Sequence, residues 1–254
     1  MTESVLRLAI SGISGRMGKS LQAVIEDEFS ERIKIVGGWA RLSQASEALP
    51  LCSEVEAVLD FSAPSQVLPL AEACVKAGCA LVTGTTGLED AQRSALLEAS
   101  TKIPVLHAPN FSFGIQMMAR LLAKAAAFWK TEADIEILEK HHRHKAEAPS
   151  GTALFFGETI AQAMKTTLEE SAEWPRLPYW EETPRAGGKI RFSCQRGGTM
   201  AGTHRVDFFL REEVLAIEHQ ALDRRLFARG AVQTALWIRA RPPGLYKLAD
   251  LLDG

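Results

Sequence analysis

Between Glu139 and Ala153 the chain runs E-K-H-H-R-H-K-A-E-A-P-S-G-T-A, which gathers His141, His142 and His144, half of the six histidines, with Arg143 and Lys145. Imidazoles titrate near neutrality and can pass a proton without a large pKa shift. An ammonium four residues beyond the first of them can stabilise developing negative charge or assist protonation. Pro149-Ser150-Gly151-Thr152 follows at once and reads as a tight turn entering a helix, whose first N–H groups suit a carboxylate or phosphate. So much positive charge in one short stretch repels itself when no ligand is there, and this suits an anionic ligand better than it suits the fold alone. A zinc site from His141, His142 and His144 is a competing reading. Adjacent residues of a strand point to opposite faces, so the first two do not readily share an ion.

A second chemical stretch is Ala9-Ile10-Ser11-Gly12-Ile13-Ser14-Gly15-Arg16-Met17-Gly18. Its G-x-x-G-x-x-G spacing, between a strand and a helix, lets backbone approach a pyrophosphate at a helix N-terminus, so Gly12, Gly15, Arg16 and Met17 are candidate dinucleotide contacts. Glycine-rich turns also occur without nucleotides, and the strand–loop–helix context is what favours binding. An acidic residue at the end of the second strand would select a plain ribose 2′-OH. Here Gly38-Trp39-Ala40-Arg41 has none, and Arg41 with Arg16 suits a 2′-phosphate, which favours NADPH over NADH. Asp60-Phe61-Ser62-Ala63-Pro64, Gly84-Thr85-Thr86-Gly87 and Ala108-Pro109-Asn110-Phe111 each follow a strand. Their small residues and hydroxyls suit a nicotinamide ring, and strand ends in register line the ligand crevice of an open parallel sheet.

These residues need a scaffold that ends its strands side by side. Strands are expected at Val5–Ser11, Lys34–Ala40, Ala57–Ser62, Ala80–Gly84 and Pro104–Pro109, with helices at Arg16–Glu28, Ser65–Ala77 and Leu88–Ser100; such alternation marks a parallel sheet flanked by helices. Beyond Phe113 the pattern changes: helix Ile115–Trp129, strand Asp134–His141, helix Gly151–Thr167, then strands Lys189–Arg196, Thr203–Leu210 and Val214–Ala221 of an antiparallel sheet, and a closing helix Phe227–Arg239. Glu136 and Glu139 are expected on a polar face, and Trp174, Tyr179 and Trp180 at a core edge or subunit contact. The fold class is α/β: a Rossmann-like parallel-sheet domain over residues 1–111 and 222–254, with an α+β substrate and oligomerisation domain, mixed or antiparallel in its sheet, over 112–221.

The 254 residues are 46% hydrophobic and 24% charged with a net charge of −2, a globular composition that argues against a nucleic-acid partner held by bulk charge. Cys52, Cys74, Cys79 and Cys194 match no common metal spacing and read as buried thiols of a reducing compartment. Neither a signal peptide nor a membrane span is evident, so a cytoplasmic protein is expected.

Taken together, Gly12–Gly18 ending in G-R-M-G, Gly84-Thr85-Thr86-Gly87, Asn110-Phe111-Ser112, His141–Thr152 and Phe227-Ala228-Arg229-Gly230-Ala231 make the chain resemble the dihydrodipicolinate reductase family over nearly its whole length. The most specific part is similar to that family's H-H-x-x-K-x-D-A-P-S-G-T-A. The resemblance implies His141 as proton donor or acceptor and Lys145 as a second donor. It also implies His142, Gly151 and Thr152 on substrate carboxylates, with Arg224 near the same site. Gly12, Met17, Gly84, Thr86, Ala108 and Phe111 would touch the cofactor. A small cyclic dicarboxylate substrate, NADPH or NADH as cofactor, and a homotetramer assembled through the second domain's sheet follow from the same likeness; no metal is expected, on the strand geometry of the histidines. Glu147 stands where the family has Asp, and Ala40 where many members have an acid. Two other readings stay open: a related two-domain dehydrogenase of another small amino or keto acid, and a nucleotide sensor that has lost turnover.

Overall fold

A computed structural model describes residues 4–174 and 187–253. In chain order its first elements are β1 (Leu6–Ser11), α1 (Arg16–Val24), β2 (Ile33–Trp39), α2 (Ala45–Cys52), β3 (Ala57–Asp60), α3 (Pro64–Ala77), β4 (Ala80–Thr83), α4 (Asp90–Ser100) and β5 (Pro104–His107). Then follow α5 (Phe113–Trp129), β6 (Asp134–His141), α6 (Gly151–Ala163), α7 (Leu168–Ser171) and β7 (Ile190–Arg196). The last are β8 (Gly202–Phe209), β9 (Val214–Ala221), α8 (Arg225–Ile238) and β10 (Gly244–Tyr246). Contacts divide the chain into two compact units, Met1–Phe113 with Arg225–Gly254, and Gly114–Arg224.

The first unit holds a six-stranded sheet in the order β10-β5-β4-β3-β1-β2, every pairing parallel. Parallel strands are buried on both faces and so read as near-continuous apolar runs. Leu8, Ile10, Leu59 and Val82 point into one core with residues of α1 and α8, while Ala9, Val58, Leu81 and Val105 point into another with residues of α2, α3 and α4. The order reverses at β1 and β3, and a reversal of this kind opens a crevice beyond the strand ends. Two elements escaped the sequence reading. One is α2, a short helix with a proline inside it; the other is β10, three residues that follow Pro242 and Pro243.

The second unit has a four-stranded sheet ordered β7-β6-β8-β9. It is mixed: β7 pairs with β6 in parallel, and only β8 and β9 run antiparallel to their neighbours. Of the mixed or antiparallel sheet expected for this domain, the mixed form is the one observed, because β7 pairs with β6 and not with β8 or β9. A parallel pair needs a crossover, usually helical, and α6 supplies it. That helix stops at Ala163, earlier than the Thr167 expected, because Lys165 turns left-handed (φ 64°) and Thr167 caps α7. Trp174 stacks on Phe192 of β7 with ring centroids 5.1 Å apart. Tyr179 and Trp180 lie outside the described residues.

Along β6 the residues at 135, 137, 139 and 141 are all buried. The expectation that Glu139 shares a polar face with Glu136 is therefore wrong: three residues apart on a strand means opposite faces, and Glu139 is 0% exposed. The thiols of Cys52, Cys74 and Cys79 converge to within 4.8 Å of one another in the apolar core under α2 and α3, closer company than their sequence spacing suggests. Cys194 is exposed, contrary to expectation.

Candidate active site

At the strand ends of the first unit, backbone hydrogen bonds fasten the loops in sequence across the sheet. Gly12 and Ile13 N–H donate to Trp39 O, Phe61 N–H to Ser11 O, Gly84 N–H to Asp60 O and Ala108 N–H to Thr83 O. Gly12 takes a positive φ of 78° and lies so close to the Phe61 carbonyl that any Cβ would overlap it; only glycine lets the first loop close down on the β3 end. Helix α1 then begins at Gly15 with no side-chain cap and no acidic residue in its first turn. Its leading N–H groups are in the condition that fits a pyrophosphate.

Asp60 organises the middle of this crevice. Ser62 Oγ donates to its Oδ1 at 2.5 Å, and Thr83 Oγ1 and Thr85 Oγ1 donate to Oδ2 at 2.7 and 2.8 Å. Thr85 Oγ1 also accepts from Ser62 N–H at 3.2 Å. The fully buried carboxylate thus ties the loops after β3 and β4 together. Asp60→Ala leaves three hydroxyls without their acceptor and is expected to cost about 2–3 kcal/mol. Urea unfolding checks this, and an unchanged midpoint would contradict it.

The structure sorts the sequence candidates by what they can present. The Thr85 side chain is 4% exposed and wholly engaged, whereas Thr86 is exposed. Ala108 and Phe111 are 4% and 2% exposed, and both side chains belong to the core, so only their backbone is left to meet a ligand. Asn110 Oδ1 accepts from Ser112 N–H at 2.8 Å, which fixes that loop. Arg16 and Arg41 are both exposed, and neither is held in an ion pair among the described residues. Met17 is half-buried and packs on the core under α1.

The histidine stretch lies in the second unit. His141 ends β6 on its buried face, with Nδ1 in contact with a Glu139 carboxylate oxygen. Glu139 in turn accepts from Arg196 Nη1 at 2.9 Å, Arg196 Nη2 at 2.6 Å and Ser150 N–H at 3.2 Å. Arg196 Nη2 also reaches Glu147 O at 2.5 Å. Ser150 caps α6 by accepting from Ala153 N–H and meets His204 Nε2 at 3.1 Å. The His204 ring lies edge-on to His141 at 5.1 Å between centroids, and burial pushes its pKa down to about 3.

Burial also draws His141 below the usual imidazole value, against the pull of Glu139 and with Lys145 and Arg196 adding to the depression. Lys145 Nζ pairs with Glu147 Oε2 at 3.2 Å, so the acid in place of the expected Asp partners the candidate lysine. His142 has a buried Nδ1 with no hydrogen-bond partner. Its pKa is also lowered, first by desolvation and then by the charge of Arg224, which sits in this unit. Gly151 opens α6 onto space in which an added Cβ would meet nothing within 4 Å. His142 and His144 stand 6.3 Å apart, ring to ring.

Sequence reasoning placed Asp60 at a crevice-lining strand end without its hold on three hydroxyls, and it missed the roles of Glu139, Arg196 and His204. For Glu139 a signal was present, since it shares parity with Ile135 and Ile137. Arg196 and His204 come from strands whose register no local pattern reveals.

Models of the dihydrodipicolinate reductase N-terminus and C-terminus match residues 6–111 and 114–252. The chain belongs to the dihydrodipicolinate reductase family. It is 38% identical to the 4-hydroxy-tetrahydrodipicolinate reductase of Granulibacter bethesdensis, over 99% of this chain and 98% of that one. With the enzyme of the same description from Pseudomonas fluorescens it shares 39% identity over 97% and 98%. A solved structure of dipicolinate-bound dihydrodipicolinate reductase from Paenisporosarcina sp. TG-14 has the same fold, with a TM-score of 0.79 at 23% identity, over 98% of this chain and 100% of that one. Membership of the dihydrodipicolinate reductase family makes the chain an NAD(P)H-dependent oxidoreductase. Among the described residues no helix is long and apolar enough to cross a membrane.

Proposed function

We propose that this chain reduces 4-hydroxy-tetrahydrodipicolinate to tetrahydrodipicolinate with loss of water, in lysine and diaminopimelate biosynthesis. The observation that carries the reading is His141, held at the end of β6 by a buried carboxylate, with Lys145 four residues on and the α6 N-terminus fastened to the same carboxylate. The reduced nicotinamide, when bound, supplies the hydride.

This chain's residues do the rest. His141 delivers a proton to the ring, and Lys145 stabilises the negative charge that builds up there. Gly151 and Thr152 at the start of α6 receive one carboxylate, and His142, with Arg224 near it, the other. An arriving dianion favours the charged form of a nearby imidazole, so substrate itself helps to load His141 despite its depressed pKa. Gly12, Gly15, Arg16 and Met17 hold the pyrophosphate end of the cofactor, and Gly84, Thr85, Thr86, Ala108, Asn110 and Phe111 border its nicotinamide. The first unit is thus the dinucleotide-binding domain and the second the substrate and oligomerisation domain, cytoplasmic and tetrameric through the second sheet. Phe209 and Val214, 43% and 52% exposed at one end of the β8–β9 pair, support that assembly.

For the cofactor, Ala40 in place of an acid and the unengaged Arg16 and Arg41 support NADPH. Arg41→Ala is expected to raise KM for NADPH about 10-fold, the worth of one exposed charge-assisted contact, and to leave KM for NADH alone. An equal effect on both would remove the 2′-phosphate role. The reaction itself is tested by following NADPH oxidation with freshly generated 4-hydroxy-tetrahydrodipicolinate. Bound cofactor without turnover would defeat the reading.

A further inference from the structure

We propose that Glu139 is a positioning residue for His141. Its carboxylate takes the Nδ1–H and fixes the neutral ring in that tautomer, so Nε2 is the atom that exchanges the proton with substrate. The proposal rests on the reading of His141 as the proton donor.

Four observations support it. Glu139 is 0% exposed, and a buried carboxylate survives only where cations or donors satisfy it. Arg196 through both terminal nitrogens, Ser150 N–H and His141 Nδ1 do so here. Burial alone would raise the Glu139 carboxyl, yet the bonds from Arg196, His141 and Cys194 hold it below the usual carboxylate range. It therefore stays ionised. His141 is depressed by its own burial, so the resting pair is a carboxylate and a neutral imidazole. An ionised carboxylate can only accept, and the nitrogen facing it must carry the hydrogen. Finally, Nε2 faces Gly202, where an added Cβ would come within 2.9 Å of it; the absence of a side chain there leaves that nitrogen its room.

Charged and titratable groups face His141 from each neighbouring element: Glu139 on β6, Arg196 on β7, His204 on β8 and Lys145 from the following loop. Of these only Glu139 raises the proton affinity of the ring. Its removal lowers that affinity and moves the alkaline limb of kcat/KM, where His141 loses its proton, towards lower pH. Anchoring by Ser150 N–H gives Glu139 a second consequence, because the α6 N-terminus and the imidazole are then held by one carboxylate.

The test combines two readouts. Long-range ¹H–¹⁵N correlation of the imidazoles in the wild-type protein without substrate should show neutral His141 as the Nδ1–H tautomer, the minority form of free histidine. In Glu139→Gln, kcat should fall about 10²-fold, the alkaline limb should move down by about one pH unit, and KM for NADPH should stay near wild type. An Nε2–H tautomer in the wild type, or a folded Glu139→Gln with an unmoved alkaline limb, overturns the proposal. Because the tautomer is read without turnover, it stands apart from the reaction. A wild type inert towards 4-hydroxy-tetrahydrodipicolinate yet in the Nδ1–H form would defeat the functional reading and leave the positioning intact.

Discussion

His141→Ala is expected to lower kcat/KM by about 10²–10⁴-fold, the usual range for removing a general acid, while NADPH binding is unchanged. The size follows from placement. His141 is the one histidine of its stretch that is both buried and in contact with a carboxylate; His142 and His144 point elsewhere and cannot substitute for it. The cofactor should be indifferent, because the loops proposed to hold it belong to the first unit and His141 to the second. Losing the ring also leaves Glu139 without one of its donors, but Arg196 and Ser150 N–H remain on it, so the fold should persist. Steady-state kinetics with a fluorescence titration of NADPH makes the check. A loss of less than threefold would remove His141 from the chemistry.

Gly230→Ala is expected to be the most damaging small change to the fold. Alanine is favoured over glycine in a helix by about 1 kcal/mol, so a helix-centred view predicts stabilisation. The packing decides otherwise. A Cβ at 230 would overlap the Phe111 carbonyl oxygen, a backbone atom, and crowd Phe111 C at 3.0 Å. Phe111 is itself packed in the core against Phe61, 5.4 Å between ring centroids. Neither α8 nor the loop after β5 can give way without disturbing that core, and overpacking of this kind costs about 3 kcal/mol or more, or roughly 6–12 °C in Tm for a chain of this size. Thermal unfolding measures it. A Tm at or above wild type would show that α8 and the Asn110-Phe111 loop have slack that the structure does not suggest.

Much of this was legible because local pattern and fold agree. β6 alternates buried and half-buried residues from Asp134 to His141, and its bounds follow directly from that period. The strands of the first sheet are short, largely apolar runs, and the three strand-end motifs do lie in register across it. What stayed hidden is non-local. Glu139 reads as a surface charge until Arg196, 57 residues away, is seen to neutralise it. The parallel pairing of β7 to β6 depends on a crossover through α6. Cys52 meets Cys74 and Cys79 only because α2, itself missed, packs on α3. Gly230 was visible within Phe227–Ala231, one of the segments that carry the family resemblance, but its reason, a backbone carbonyl of another loop, was not.

On the function proposed above, this chain moves hydride from a nicotinamide to the ring of 4-hydroxy-tetrahydrodipicolinate while its own residues supply the proton. The most direct measurement is mass spectrometry of the product formed with NADPH deuterated at the transferring position of C4, for wild type and Lys145→Ala. Tetrahydrodipicolinate carrying one deuterium is expected from the wild type, and little product from the variant although it still binds cofactor. Product without deuterium, or no product from a wild type that binds NADPH, would contradict it.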